Sequence, residues 1–195
     1  PVIFILDTSS SMSGKPIENL SKALKRTIEL LRRHSMETKL INLREIDSRE
    51  YVTYKIAIIT FNSSAKLIMD YIDVEKINDL PRIEACGATA LRVALYLAKN
   101  MIEDSIITPK NWFNPKIIFV TDGYPTDNYR KALKDFISNG RSSKCIKYAV
   151  GIGKTFDKEI LKKFSTWFIE TADSSDIESA FQTIADDIIA RGLYQ

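Results

Sequence analysis

The chain has 195 residues, of which 45% are hydrophobic, and this is enough apolar material for one globular domain with a buried core. Lys and Arg outnumber Asp and Glu by 28 to 25, and the net charge of +3 gives no strong attraction to nucleic acid or to an anionic membrane. No apolar stretch approaches the ~18 residues that a membrane span requires. The composition therefore predicts a single domain over residues 1–195 that neither binds nucleic acid nor crosses a membrane.

The first half of the chain predicts a strand, a helix and a hairpin. Residues 2–6, VIFIL, form a short apolar run that is typical of a central strand covered on both faces. A helical period of apolar residues follows, with Pro16 in its first turn. We interpret the polar residues 35–50 as a variable loop or insertion. The runs 51–61 and 65–72, separated by the turn composition NSS, predict two paired strands.

The second half alternates helices with strands. Helical patterns cover 90–102, 128–139, 156–164 and 177–189, and strand patterns cover 116–120, 146–152 and 166–171. This alternation predicts a doubly wound (Rossmann-like) α/β fold, with a mostly parallel sheet, one antiparallel edge strand and helices on both faces. Ligands of such sheets bind beyond the carboxyl ends of the strands. The loops that follow the strands are therefore the first place to look for a site.

Oxygen-bearing side chains occur in three of these loops, LDTSSSMSG (6–14), CGATAL (86–91) and TDGYPTD (121–127). In the first loop they are two residues apart, a spacing that turns alternate side chains of an extended chain to one side. Converging oxygens suit a hard cation. Turns and helix caps explain each loop when it is taken singly, so a structural domain whose hydroxyls only cap helices is an alternative, and the argument for a site is the joint occurrence of the three loops. The candidate ligands are Asp7, Ser9, Ser11, Thr89 and Asp122.

The motif D-x-S-x-S beginning at Asp7, the later G-x-T ending at Thr89 and the T-D-G around Asp122 together resemble the metal-ion-dependent adhesion site (MIDAS) of von Willebrand factor A (VWA) domains. The resemblance extends over the element order of residues 1 to about 190 and implies the VWA fold. It implies that Ser9, Ser11 and Thr89 hold the ion through their hydroxyls, whereas Asp7 and Asp122 act mostly through bound water. Mg²⁺ is the expected ion, ahead of Mn²⁺ and then Ca²⁺.

This resemblance implies a binding function rather than catalysis. Few of the direct ligands are anionic, so the ion keeps much of its positive charge and an open coordination position, which an Asp or Glu of a partner protein can fill. Tyr124 and Pro125, next to the third loop's Asp122, are predicted to contact that partner. In A domains that signal, the last helix shifts when the metal site engages a ligand, so we predict such a shift for residues 177–189.

A narrower resemblance rests on the strings DTSSSMSGKPI and TDGYPTD, which look like those of bacterial TerY-like proteins of the tellurite-resistance type. It implies a cytoplasmic adaptor or regulator in a bacterial stress or tellurite-resistance-type system. A co-encoded protein phosphatase or protein kinase is then a candidate partner. Cys86 and Cys145, with no second cysteine or histidine close in sequence, are predicted to be buried, reduced thiols, which agrees with a cytoplasmic protein.

Nucleotide binding and hydrolysis are alternatives with weaker support. The fragment YAVGIGKT ends in G-K-T, but a phosphate-binding loop needs glycine at position 148, where this chain has Tyr148. His34, the one histidine, is interpreted as an exposed residue at the polar end of the first helix rather than as a base for a serine nucleophile, and G-x-S-x-G is absent. Metal-assisted hydrolysis of phosphoesters remains the alternative function. The basic residues of the first helix are interpreted as a solvated face; they are Lys22, Lys25, Arg26, Arg32 and Arg33.

Overall fold

The computed structural model describes residues 1–44 and 51–192. Its strands are β1 (Val2–Asp7), β2 (Lys55–Phe61), β3 (Ala65–Asp73), β4 (Lys116–Thr121), β5 (Ile146–Ile152) and β6 (Trp167–Thr171). Its α-helices are α1 (Lys15–Arg44), α2 (Leu91–Glu103), α3 (Arg130–Ser138), α4 (Lys158–Phe164) and α5 (Ile177–Gly192). The strands form one sheet in the order β3-β2-β1-β4-β5-β6, in which only the β2–β3 pair is antiparallel among the described strands. The predicted α/β fold class is confirmed.

Strand β1 lies in the interior of the sheet, between β2 and β4, and all six of its residues are buried. Its side chains alternate between two hydrophobic clusters, as the pleat of a strand requires. Phe4 packs with α1 and α5 on one face and stacks on Phe181 with the ring centroids 6.1 Å apart. Ile3 and Ile5 pack with α2, α3 and α4 on the other face. This double coverage explains why the strand is a continuous apolar run.

Helix α1 is longer than the sequence predicts. It continues to Arg44, so the prediction of a loop is wrong for residues 35–44, while residues 45–50 lie outside the described residues. Tertiary contacts explain the difference, because Ser35 is buried and its hydroxyl donates a hydrogen bond to Glu75 at 2.8 Å. The polar composition of this segment reflects an exposed helical face and not an irregular chain.

Two further predictions about α1, for His34 and Arg32, are wrong because these side chains also make tertiary contacts. His34 is half-buried inside the helix, not exposed at its end, and its Nδ1 lies 2.8 Å from the hydroxyl of Tyr54. Burial lowers the pKa of His34. Arg32 is half-buried and not part of a fully solvated face, because its guanidinium donates hydrogen bonds to the backbone carbonyls of Val74 and Ile77. The other four residues of the predicted solvated face, Lys22, Lys25, Arg26 and Arg33, are exposed, as predicted.

The two cysteines differ from each other. Cys145 is buried, as predicted, but Cys86 is exposed, and both thiols are free. The small residues around Cys86 in sequence reflect a loop at the edge of the sheet and not a place in the core. Within residues 1–44 and 51–192, no helix combines the length and the hydropathy that a bilayer crossing demands.

Candidate metal centre

Backbone hydrogen bonds hold the first two predicted loops together at the carboxyl edge of the sheet. The amide of Ser10 donates to the carbonyl of Gly87 at 3.0 Å, and the amide of Cys86 donates to the carbonyl of Thr8 at 2.8 Å. The first loop is also attached to β2, because the Thr8 amide donates to the carbonyl of Phe61 at 2.7 Å. These bonds fix the backbone around the predicted ligands independently of their side chains.

Asp7 is fully buried at the end of β1, and both of its carboxylate oxygens accept hydrogen bonds. The amide of Ser9 donates to Oδ1 at 2.8 Å, and the hydroxyl of Thr121, on the neighbouring β4, donates to Oδ2. Burial raises the pKa of Asp7 from its ordinary value of 3.8 to about 6, although the hydrogen bonds from Thr121 and Ser9 oppose this rise. Asp7 therefore orients the first loop and contributes negative charge from below the surface.

The hydroxyls of Ser9 and Ser11 and the carboxylate of Asp122 form a continuous row. Ser9 Oγ lies 3.0 Å from Ser11 Oγ, and Ser11 Oγ donates a hydrogen bond to Asp122 Oδ1 at 2.7 Å. Ser9 and Asp122 are buried, whereas Ser11 is exposed. The row therefore reaches solvent at Ser11. Burial raises the pKa of Asp122, and the hydrogen bond from Ser11 opposes this.

Thr89 completes the cluster from the second loop. It is buried, yet its hydroxyl makes no hydrogen bond to another residue of the described chain. A Cβ atom placed on Gly123 would lie 3.5 Å from Thr89 Oγ1 and 3.9 Å from Ser11 Oγ, so both hydroxyls face the same side of this glycine. Thr89 is not the cap of α2, because the N-cap position is Ala90. The capping alternative considered for Thr89 is therefore wrong.

The chemistry of this cluster fits a small divalent cation. Three hydroxyls and two carboxylates supply only oxygen atoms, the ligand type that hard cations prefer. Within the described residues there is no group of three or more His, Cys, Asp or Glu side chains that would hold a metal ion without hydroxyls. Ser9, Ser11 and Thr89 would hold the ion, and Asp7 and Asp122 would hold its water. The exposure of Ser11 leaves one side of the site open.

The residues predicted to contact a partner lie beside this opening in the third loop. Tyr124 is 61% exposed, and Pro125 is half-buried. Pro125 lines a cavity of about 10 Å³, together with Thr89, Thr121 and Gly123, directly beneath the loop. Tyr124 thus offers most of its ring to solvent, whereas Pro125 also supports the loop from inside.

Sequence reasoning missed several side chains that support the site. The T-D-G motif indicates no role for Thr121, yet the Thr121 hydroxyl donates a hydrogen bond to Asp7 Oδ2. Thr155 donates a hydrogen bond to the backbone carbonyl of Asp122 at 2.9 Å. The place of Thr155 just beyond a predicted strand was the available signal, and this contact gives the G-K-T fragment a structural role. Ser63 accepts a hydrogen bond from the amide of Ala88 at 3.0 Å, and nothing in its local sequence indicates this contact.

The family model of the von Willebrand factor type A domain matches residues 2–183. The chain belongs to this family. The match includes all of the candidate ligands and every described strand of the VWA domain.

Three solved structures have the same fold as this chain at low sequence identity. A von Willebrand factor type A protein from Catenulispora acidiphila has a TM-score of 0.69 and 15% identity, over 94% of this chain and 41% of that protein. Proximal thread matrix protein 1 from the mussel byssus, with a zinc-occupied MIDAS motif, has a TM-score of 0.68 and 15% identity, over 97% of this chain and 47% of that protein. BatB from Bacteroides thetaiotaomicron has a TM-score of 0.65 and 16% identity, over 100% of this chain and 98% of that protein. The present chain thus spans less than half the length of the first two proteins.

Proposed function

We propose that this VWA domain binds a divalent cation at its three-loop site and uses the ion to bind an acidic side chain of a partner protein. Ser9, Ser11 and Thr89 are the proposed direct ligands, and Asp7 and Asp122 are proposed to act through water. The observation that carries the proposal is the convergence of these hydroxyls beside a solvent-exposed Ser11. A converged but open oxygen cluster is suited to an ion that still has a free coordination position.

The charge of the proposed ligands favours binding of an anion. The direct ligands are neutral hydroxyls, so they do not cancel the charge of the cation. Asp7 already accepts two hydrogen bonds, which supports an indirect role for its carboxylate. An Asp or Glu of a partner would then supply the missing anionic ligand, as hard cations prefer. Mg²⁺ is our first choice of ion and Mn²⁺ the second, while zinc in the MIDAS motif of the mussel protein supports a divalent ion in general.

We propose a binding role in preference to hydrolysis. The one histidine, His34, lies in α1 beside the hydroxyl of Tyr54, and this helix packs on the sheet in the core cluster that contains Phe4. His34 therefore gives no support to a hydrolytic mechanism in which a histidine base activates a serine of the first loop. Tyr124, which is exposed beside the site, supports a protein partner, because Tyr is enriched at protein interfaces.

The finer assignment rests on the sequence strings DTSSSMSGKPI and TDGYPTD alone. On their resemblance to TerY-like proteins, we propose a cytoplasmic adaptor in a bacterial stress or tellurite-resistance-type system. A co-encoded protein phosphatase or protein kinase is the proposed partner.

A pull-down in Mg²⁺ and in EDTA tests the proposal. The immobilised wild type should retain a partner only in Mg²⁺, and the double variant Ser9→Ala, Ser11→Ala should not retain it. Ser13→Ala is the matched control, because Ser13 is an exposed serine of the same loop that does not join the row of hydroxyls. Equal retention by wild type and double variant in both buffers would refute the metal-dependent mechanism.

A further inference from the structure

The start of helix α2 lacks a cap from its own sequence. The first N–H groups of a helix have no partner inside the helix and usually bond to a side chain at the N-cap. Ala90 occupies that position and carries no acceptor, and the hydroxyl of Thr89 does not substitute for one. The cap comes instead from the third loop, because the amide of Arg92 donates to Asp127 Oδ2 at 2.9 Å and to Oδ1 at 3.2 Å.

A second bond joins the same two segments. The amide of Thr126 donates to the backbone carbonyl of Thr89 at 2.9 Å. Residues 126 and 127 therefore hold the chain at Thr89 itself and three positions later at Arg92. The same loop carries Asp122 and Gly123 at its start, so one short segment contacts both sides of the cluster.

We infer that Asp127 is a positioning residue for the metal site, and this inference rests on the function proposed above. Asp127 caps α2 from another loop, which leaves the Thr89 hydroxyl available to the cation. Through the same bonds it fixes the distance between Thr89 and the loop that carries Asp122. Because Asp127 accepts the hydrogen bond from the first turn of α2, the hydroxyl of Thr89 is not needed as a helix cap and can serve as a metal ligand.

A purely structural cap predicts a different outcome. Loss of such a cap lowers the stability of the helix but leaves the affinity for the ion unchanged. A purely electrostatic effect of the Asp127 charge on the cation also differs, because it disappears whenever the charge is removed. The positioning role depends on the hydrogen bond, which an asparagine side chain preserves through its carbonyl oxygen.

The test measures Mn²⁺ binding by the full chain, from the electron paramagnetic resonance signal of the free ion, together with thermal unfolding. We expect Asp127→Ala to weaken Mn²⁺ binding about 10-fold, the size typical of residues that orient metal ligands. Asp127→Asn should bind Mn²⁺ more tightly than the alanine variant. Asp104→Ala is the matched control at the opposite end of α2, where Asp104 Oδ1 accepts a hydrogen bond from the amide of Ile106 at 2.7 Å, and it should keep the wild-type affinity.

Each outcome decides one point. If the wild type binds Mn²⁺, three results would each overturn the inference. The first is wild-type Mn²⁺ affinity in Asp127→Ala, and the second is equal loss of affinity in Asp127→Ala and Asp127→Asn. The third is a loss of affinity in Asp104→Ala as large as that in Asp127→Ala. If the wild type itself binds no Mn²⁺, the proposed function fails. The cap is then still measurable, because the amide of Arg92 should exchange with solvent faster in Asp127→Ala than in wild type. If the alanine variant does not fold, Asp127→Ser takes its place, since its shorter side chain also loses the bond.

Discussion

The Thr121 hydroxyl donates a hydrogen bond to Asp7 Oδ2 across the adjacent parallel strands β4 and β1, although the two residues are 114 positions apart. It is one of two donors that hold a fully buried carboxylate, the other being the amide of Ser9. We therefore predict that Thr121→Val destabilises the protein by about 1–3 kcal/mol, because one buried oxygen loses its partner. Urea unfolding at pH 7.5 measures this effect. The exposed Thr126→Val is the control, and equal stability of the two variants would contradict the prediction.

The stability of the metal-free protein should depend on pH through Asp7. The pKa of Asp7 is raised by burial from 3.8 to about 6, so between these pH values the folded protein keeps a proton that the unfolded chain releases. The contribution of Asp7 to stability therefore falls as the pH rises from 4 to 6, by at most about 3 kcal/mol in total.

Urea unfolding in EDTA, compared between wild type and Asp7→Asn across this range, isolates the effect of Asp7 from that of the other carboxylates. Wild type should lose stability relative to Asp7→Asn as the pH rises. A constant difference between the two proteins from pH 4 to pH 7 would show that the folded-state pKa of Asp7 is not raised.

Gly87 should tolerate alanine less well than another glycine with the same backbone conformation. Its φ is +76°, and a Cβ atom there would lie 2.6 Å from Ser63 Oγ. Gly153 has φ +74° with nothing within 4 Å of its Cβ position, so Gly153→Ala measures the backbone strain alone, about 1–2 kcal/mol. Gly87→Ala should cost more and should also weaken Mn²⁺ binding, since the Gly87 carbonyl holds Ser10 in the first loop. Equal stability and equal Mn²⁺ affinity of the two variants would contradict this.

The two thiols should react at very different rates. Cys86 is exposed, whereas Cys145 is buried, and burial raises the pKa of Cys145 to about 11. Because the thiolate is the reactive form, a disulfide reagent at pH 8 should modify Cys86 quickly and Cys145 only on unfolding. Cys86→Ser should abolish the fast phase, and a fast phase that persists in this variant would refute the assignment.

Helix α5 is predicted to shift when the metal site engages a partner. It packs on α1 and on the sheet, where Phe181 stacks on Phe4 of β1, so a shift would move a ring in the core. Backbone and aromatic NMR shifts of α5 should therefore change when the partner recovered in the pull-down is added at saturation in Mg²⁺. Unchanged shifts in residues 177–189 would show that the helix is static.

Local patterns predicted most of the architecture, because they record burial directly. The run VIFIL is apolar because β1 is covered on both faces, and the spacing of Ser9 and Ser11 placed two hydroxyls on one side of the chain. The end of α1 was missed because its helical state depends on contacts such as Ser35 with Glu75. A contact of this kind has no trace in the local sequence.

The same distinction applies to the candidate site. The positions of Ser11 and Asp122 at strand ends were sufficient to predict that they meet. Thr121 orients Asp7, and Asp127 caps the start of α2. Both contacts depend on which loops touch, and strand order, not spacing along the chain, determines which loops touch. The metal role of these residues is still a prediction that the Mn²⁺ experiments test.

Helix α1 also determines how the molecule can be handled. It begins at Lys15, just beyond Ser11, and its 30 residues extend for about 45 Å, whereas the strands beneath it are about 20 Å long. Its final turns, with the exposed Leu40 and Ile41, therefore lie far from the candidate metal centre. A dye or a surface linker attached near Leu40 leaves the loops around Ser11 accessible, so the domain can be immobilised in a defined orientation with its binding edge facing the solution.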